Sequence, residues 1–140
     1  NAGVDASNVG VEEVVTLLPE DADRSARGLR LALLEELGVD VGLIVSDSFG
    51  RPWRLGITDV ALGVSGFRPL DDLRGERDTE GREMRATVVA VADELASTAE
   101  LASGKTSRQP AVLIRGARLP AGEGTIAGDV LMPLTQDLFT

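Results

Sequence analysis

The sequence predicts an α+β fold. Two segments, 24–37 and 87–103, place apolar residues at helical spacing. Short apolar runs typical of buried strands lie around them, but without the regular spacing of βαβ units. The length of 140 residues suits one domain, so we expect residues 1–140 to form a single domain.

Both helices have recognisable ends. Acidic residues in 19–25 suit the positive end of the first helix dipole, and Gly38 fits just past its end. Gly104 stops the second helix. The apolar stripe of the first helix is Ala26, Leu29, Leu33 and Leu37. The stripe of the second is Val88, Val91, Ala92, Leu95, Ala99 and Ala102.

Strands are expected where short apolar runs are bounded by turn residues. These runs are 11–18, 39–46, 57–64 and 111–115. The polar segments 47–56 and 69–81 are expected to be surface loops, and the residues after Gly116 give little signal.

Three residue types are missing, and the absences exclude several kinds of chemistry. The chain has no Cys, no His and no Tyr, which excludes disulfides, a Ser-His-Asp triad and the usual zinc ligands. The net charge of −9 argues against nucleic acid as a partner. No apolar run is long enough to cross a bilayer. Oxygen ligands and hard cations such as magnesium or manganese remain.

Residues 47–54 are the most informative stretch. Asp47 is expected just past a buried strand, with the Ser48 hydroxyl as a neighbouring oxygen ligand. Arg51 and Arg54 flank the only tryptophan, Trp53, and arginine binds phosphate or carboxylate with two hydrogen bonds. Alternatively, the segment is an ordinary loop in which Trp53 fills the core. Asp59 could be a further ligand or an acid on a strand edge.

Two shorter segments leave alternatives open. Gly104-Lys105-Thr106 looks like the end of a P-loop, but the motif requires a glycine where Ala99 stands, and a P-loop opens a helix. A helix C-cap is the simpler interpretation, although Lys105 could still touch a phosphate. The polar residues 5–8 form a cluster that commonly makes an Asx-turn.

Together these segments resemble the coenzyme F420:L-glutamate ligase (F420-0:gamma-glutamyl ligase) family. The matching stretches are N-A-G-V-D-A-S-N-V at 1–9, L-P-E-D-A-D-R-S-A-R at 18–27, S-D-S-F-G-R-P-W-R-L-G-I-T-D-V-A-L-G at 46–63, V-A-D-E-L-A-S-T-A-E-L-A-S-G-K at 91–105 and A-V-L-I-R-G at 111–116. The similarity covers about 1–116 and fades after Arg118.

The resemblance implies a GTP-dependent ligase that adds L-glutamate to the F420 precursor through an acyl phosphate. It implies Mg²⁺ or Mn²⁺, with K⁺ as a further candidate ion, and a cytoplasmic, intertwined homodimer. It also implies an α+β fold in which helices pack on a mainly antiparallel sheet, as a fragment of a larger ligase fold. Its substrates would be GTP, L-glutamate and the F420 precursor.

The resemblance also assigns residues. By motif, the metal ligands are Asp5, Asp47 and Ser48, where the family often has Thr for Ser48. The nucleotide contacts are Asn8, Gly104, Lys105 and Thr106. Asp47 and Arg51 are the expected catalytic residues, and Arg51, Trp53 and Arg54 are interpreted from their chemistry as substrate contacts.

Family members have a substantial portion before the N-A-G-V-D segment. We therefore expect residues 1–140 to be the C-terminal part of a ligase domain, inactive alone and prone to self-association. Two other functions stay open: a related amide ligase with another acceptor, and a non-catalytic binding or assembly module that kept the fold.

Overall fold

The computed structural model describes residues 4–5 and 15–137, and within them the predicted α+β fold is confirmed. Every pair of described strands is antiparallel. In chain order the strands are β1 (Val4–Asp5), β2 (Thr16–Leu17), β3 (Leu43–Arg51), β4 (Arg54–Ser65), β5 (Asp71–Asp72) and β6 (Val88–Val89). The helices are α1 (Ala22–Leu37) and α2 (Val91–Ser103), followed by a π-helical turn (Ile126–Val130).

The long hairpin of β3 and β4 is the centre of the described fold, and both helices pack against it. The predicted loop at 47–56 is therefore wrong, because most of it belongs to these two strands. Pro52 and Trp53 alone form the turn, where Pro fixes the first position and Trp53 takes a positive φ of 57°. The polar residues that suggested a loop are strand residues on a partly exposed hairpin.

The hairpin is irregular at two points. Its register shifts between Val45 and Ser46, and again between Gly50 and Arg51. The first shift leaves Leu62 without a cross-strand partner, since Val45 pairs with Gly63 while Ser46 pairs with Ala61. Bulges of this kind re-aim the neighbouring side chains, and this one lies directly before the polar face described below.

Helix α1 confirms the predicted segment 24–37. Asp21 caps it by accepting a hydrogen bond from the Arg24 amide (2.8 Å), and Gly38 ends it with a φ of 66°. The predicted apolar stripe is buried only in part: Ala26 is buried, whereas Leu37 is 67% exposed. Helix α1 therefore touches the hairpin along a narrow strip.

Helix α2 begins at Val91, four residues later than predicted. Val88 and Val89 form β6 instead and pair with β5, because β-branched residues suit a strand edge better than a helix start. The core lies between this helix, β4 and the π-helical turn, which the sequence did not predict. Its members are Ala61, Val64, Phe67, Ala92 and Ile126, with Ile44, Leu95 and Val130 packed against them.

Asp23 joins three elements of the fold through its buried carboxylate. Oδ1 accepts hydrogen bonds from the amides of Val64 (2.9 Å) and Ile126 (3.0 Å), and Oδ2 accepts one from Ala127 (3.2 Å). These bonds fix the start of α1 to the end of β4 and to the π-helical turn. The amides of Val64 and Ile126 are buried, and the carboxylate supplies the acceptor that they would otherwise lack.

Three of the expected strands differ from prediction. The strand predicted over 39–46 begins only at Leu43, and residues 111–115 form no regular element. Of 11–18, the structure assigns Thr16–Leu17 to β2, and 11–14 lie outside the described residues. The strand predicted at 57–64 is confirmed within β4.

The predicted surface loop at 69–81 is largely exposed, but Pro69 is buried and the next residues include β5. Within it, the Arg74 guanidinium donates to the carboxylate of Asp72 (2.8 Å from Nε). This hydrogen bond lowers the pKa of Asp72 from 3.8 to about 2. Neither helix of the described chain has the length and apolar character required to cross a membrane.

Candidate functional site

A polar face on the β3–β4 hairpin gathers two hydroxyls around one carboxylate. Ser48 lies directly opposite Asp59 in the strand register and donates a hydrogen bond to its Oδ1 (2.8 Å). Ser46, two residues earlier on the same strand, donates to Oδ2 (3.2 Å). Residues two apart on a strand share a face, so the pleat brings these three side chains together.

Lys105 adds a positive charge to this face. Its Nζ donates to Ser48 Oγ and lies 3.8 Å from Asp59 Oδ1. Lys105 is the only lysine in the chain, whose other 13 basic residues are all arginine. It follows Gly104, the residue that ends α2. The predicted helix C-cap is therefore confirmed at Gly104, and Lys105 reaches the polar face.

Helix α2 holds the middle of β4 in place behind this face. Ser97 Oγ donates to the Asp59 carbonyl oxygen and lies 2.8 Å from Thr58 Oγ1. Asp93 accepts a hydrogen bond from the Ala61 amide (2.9 Å). These contacts fix the backbone on both sides of Asp59, so the position of its carboxylate is set by the packing of α2.

A cleft of about 670 Å³ opens beside Asp59. Its walls include Arg51, Asp59, Asp93 and Glu94, together with hydroxyls of β4 and α2. A cleft lined by one arginine and three carboxylates suits a zwitterionic or metal-bridged ligand better than a simple anion, because the acids would repel an anion alone.

Asp47 lies inside β3, opposite Val60, and not after the strand as predicted. Its Oδ1 accepts a hydrogen bond from the amide of Ser48 (2.8 Å). Successive strand residues point to opposite faces. The side chains of Asp47 and Ser48 therefore leave the strand on opposite faces, and the hydrogen bond turns the Asp47 carboxylate toward the backbone of Ser48.

The donors near Asp47 fit a hard divalent cation in type. Carboxylate and hydroxyl oxygens at Asp47, Ser48 and Asp59 are the ligands that magnesium and manganese accept. Among the described residues, no three His, Cys, Asp or Glu side chains converge on one point. A cation here would therefore need further oxygen ligands, such as water or substrate oxygens, to complete its shell.

Two further predicted residues belong to the start of the chain. Asp5 lies in β1, where its backbone pairs with Thr16 of β2. Asn8 lies outside the described residues. Their predicted roles in metal and nucleotide binding stay predictions.

The predicted substrate contacts lie toward the tip of the hairpin. Arg51 pairs with Arg54 in the register, and Arg51 also lines the cleft beside Asp59. Trp53 is 87% exposed, so the alternative in which it fills the core is wrong. Gly104 and Thr106 flank Lys105, and both are exposed.

Sequence reasoning raised Asp59 only as an alternative and missed Ser46 and Ser97. Assigning residues 46–61 to a β-hairpin would have paired 46–48 with 59–61 and so placed Ser46 and Ser48 next to Asp59. Because 47–56 was interpreted as a loop, the register that aligns Ser48 with Asp59 was hidden.

The fold and this polar face define an α+β protein that gathers carboxylate and hydroxyl oxygens around one ammonium group. A family model described as F420-0:Gamma-glutamyl ligase matches residues 1–116. The chain belongs to the F420-0:gamma-glutamyl ligase family.

Curated relatives agree with this assignment. A coenzyme F420:L-glutamate ligase of Methanopyrus kandleri is 54% identical over 117 residues, which make up 83% of this chain and 46% of that protein. Another, of Methanocaldococcus jannaschii, is 44% identical over 140 residues, or 99% of this chain and 55% of that protein. A third, of Methanococcus maripaludis, is 41% identical over the same length. The chain spans about half the length of these relatives.

Proposed function

We propose that this chain carries part of the active site of a ligase that joins L-glutamate to the F420 precursor with GTP as the energy source. The supporting observation is the meeting of Ser48, Asp59 and Lys105 on one face, beside Asp47. Relatives named coenzyme F420:L-glutamate ligase match across this region.

The reaction proceeds in two steps. A carboxylate oxygen of the precursor attacks the γ-phosphorus of GTP, which forms an acyl phosphate and releases GDP. The glutamate amine then attacks the acyl carbon, forms the amide bond, and expels inorganic phosphate. Neither step needs a thiol or an imidazole, which accords with a chain that has no Cys and no His.

The chain's residues have distinct roles in this scheme. Asp47 and Ser48, together with Asp5, would hold Mg²⁺ or Mn²⁺, which neutralises phosphate charge when bound. Lys105, with Gly104, Thr106 and Asn8, would contact the nucleotide. The Arg51 guanidinium, at the wall of the cleft, would orient a substrate carboxylate.

Arg54 and Trp53 would extend this binding surface from the hairpin tip. Both side chains are exposed there, so a large planar substrate can approach them. An indole ring can stack on the flat ring system of such a substrate.

The test of this proposal uses the protein as its gene encodes it. It is incubated with GTP, manganese or magnesium, L-glutamate and the F420 precursor, and the glutamylated product is measured by mass spectrometry. Omission of each component in turn identifies the nucleotide, ion and amine required, with potassium added or withheld as a further arm. Product formation with ATP but not GTP, or without any divalent ion, would overturn the corresponding part.

The same assay distinguishes this ligase from the two alternative functions, a related amide ligase and a non-catalytic module. A related amide ligase would form product with a different acceptor acid. A non-catalytic module would give no product with any acceptor and would bind nucleotide weakly even with metal present.

We also propose that the protein acts as a homodimer in the cytoplasm. Several apolar side chains are highly exposed in this chain, among them Leu55 (100%) and Leu37 (67%). Exposed apolar surface of this kind is usually covered by further protein. Sedimentation of the whole protein should give twice its sequence mass, and a monomer across the micromolar range would contradict the dimer.

A further inference from the structure

The contacts of Lys105 place a cation on the oxygen that the proposed metal site requires. Lys105 Nζ donates to Ser48 Oγ, and the same hydroxyl donates its proton to Asp59 Oδ1. A hydroxyl oxygen engaged in both ways has one lone pair left. The ammonium therefore takes one of the two acceptor positions of the Ser48 hydroxyl, and it also lies 3.8 Å from Asp59 Oδ1.

The charge of Asp59 also indicates that Lys105 acts as a counter-ion on this face. The Asp59 side chain is 15% exposed, and Lys105 supplies its counter-charge at 3.8 Å. A carboxylate that is mostly withdrawn from water needs a cation or several donors nearby. Asp59 receives both here, from the two serine hydroxyls and from Lys105.

We propose that the Lys105 ammonium is an internal counter-ion of the Ser48 and Asp59 oxygens, which a divalent cation displaces when it binds Ser48. This inference rests on the proposed metal role of Ser48. Its consequence is a coupling: the displaced lysine becomes free to meet a phosphate of the incoming nucleotide. Metal binding would thus prepare the nucleotide contact.

The geometry makes the displacement feasible. The Lys105 side chain is 49% exposed and sits on the loop that follows α2. An ion pair that is half exposed to water is held weakly. A divalent ion carries twice the charge and can approach the same oxygens more closely, so it competes well.

The first test measures manganese affinity in the absence of nucleotide, by the electron paramagnetic resonance signal of free Mn²⁺. The protein as its gene encodes it is compared with Lys105→Met, Lys105→Arg and the control Arg27→Met. Arg27 is an exposed residue of α1, so its loss changes net charge equally. We expect Lys105→Met to bind Mn²⁺ about fivefold or more tightly, and the other two to match the unaltered protein.

The second test needs no variant, and so does not depend on folding of one. Lys105 is acetylated with an N-hydroxysuccinimide ester, and its modification rate is followed by mass spectrometry with and without Mg²⁺. Displacement should raise the rate several-fold at metal saturation, because the amine leaves its hydrogen bond and ion pair.

The outcomes separate this inference from the proposed function. If Mn²⁺ binds Lys105→Met and unaltered protein equally, and the acetylation rate is unchanged, the competition is wrong while the metal-dependent ligase stands. If Mn²⁺ binds neither protein, the metal site of the proposed function is wrong and the competition fails with it.

Discussion

Ser48 and Asp59 face each other across the β3–β4 hairpin, and the serine hydroxyl donates to the aspartate at 2.8 Å. The register that aligns them follows from a bulge one step earlier, between Val45 and Ser46. A single-residue slip would move Ser48 to the other face. The polar face of the site therefore depends on strand pairing as much as on residue identity.

Replacing Asp59 by Asn should impair function without unfolding the protein. The amide keeps the shape and one acceptor oxygen, but it loses the charge that faces Lys105. Residues that orient ligands typically cost about 10- to 100-fold in affinity or activity when changed. We expect kcat for ligation to fall in that range while the melting temperature stays constant. Asp72→Asn, an exposed change of equal charge on β5, serves as the control and should leave kcat unaltered.

Asp47→Asn should abolish metal-dependent ligation. The neutral side-chain amide of Asn is a poor ligand for a hard divalent ion. Its oxygen can still accept the hydrogen bond that the Ser48 backbone N–H donates to Asp47. Circular dichroism should therefore match the unaltered protein while product formation is lost. Near-normal turnover at ordinary metal concentrations would refute the metal role of Asp47.

Arg51→Lys should weaken substrate recognition at the cleft. Lysine keeps the charge but not the planar fork that binds a carboxylate with two hydrogen bonds. The expected result is a raised KM or a lowered kcat in steady-state kinetics. Arg85→Lys, in the exposed segment before β6, is the matched control. If Arg51→Lys leaves KM and kcat as unchanged as Arg85→Lys does, Arg51 does not contact substrate and the hairpin tip has only a structural role.

Asp23→Ala should destabilise the fold strongly. The substitution removes the acceptor of three backbone N–H groups, which belong to Val64, Ile126 and Ala127. The donors on Val64 and Ile126 are buried, and each unsatisfied buried donor costs about 1–3 kcal/mol, so we expect a loss of about 2 kcal/mol or more in urea unfolding. Asp21→Ala removes only the exposed N-cap of α1 and should cost about 1 kcal/mol. Equal losses for the two variants would contradict the joining role of Asp23.

The Asp72 carboxyl should titrate well below an ordinary aspartate. Its pKa is lowered to about 2 by the hydrogen bond from Arg74. The stabilisation from this pair is thus present above pH 4 and is lost as pH falls through about 2. Carbon-13 chemical shifts of the carboxyl should show that midpoint, and Arg74→Met should return it toward 3.8. A midpoint near 4 in the unaltered protein would show that the pair does not form in solution.

Sequence reasoning predicted the parts of the fold that local chemistry determines. Helix α1 was predictable because Asp21 and Gly38 are strong end signals. The hairpin was not, since its strands carry the polar residues of a site and its turn holds Trp53 at a positive φ, which sequence preference disfavours. The start of α2 was misplaced because Val88 and Val89 find strand partners that are distant in sequence.

The site, like the fold, was predictable only where local sequence determines it. Asp47 and Ser48 were predicted by motif, but their neighbours depend on pairing that sequence spacing does not show. Asp59 is 11 residues from Ser48 and Lys105 is 57 residues from it. Only the hairpin register and the packing of α2 bring the three together.

The most direct test of the proposed chemistry follows one oxygen atom. The F420 precursor is prepared with oxygen-18 in its acceptor carboxylate and ligated with GTP and L-glutamate, and the released phosphate is analysed by mass spectrometry. An acyl-phosphate route predicts one oxygen-18 atom in each phosphate formed with product. Phosphate without the label, at equal product yield, would contradict it.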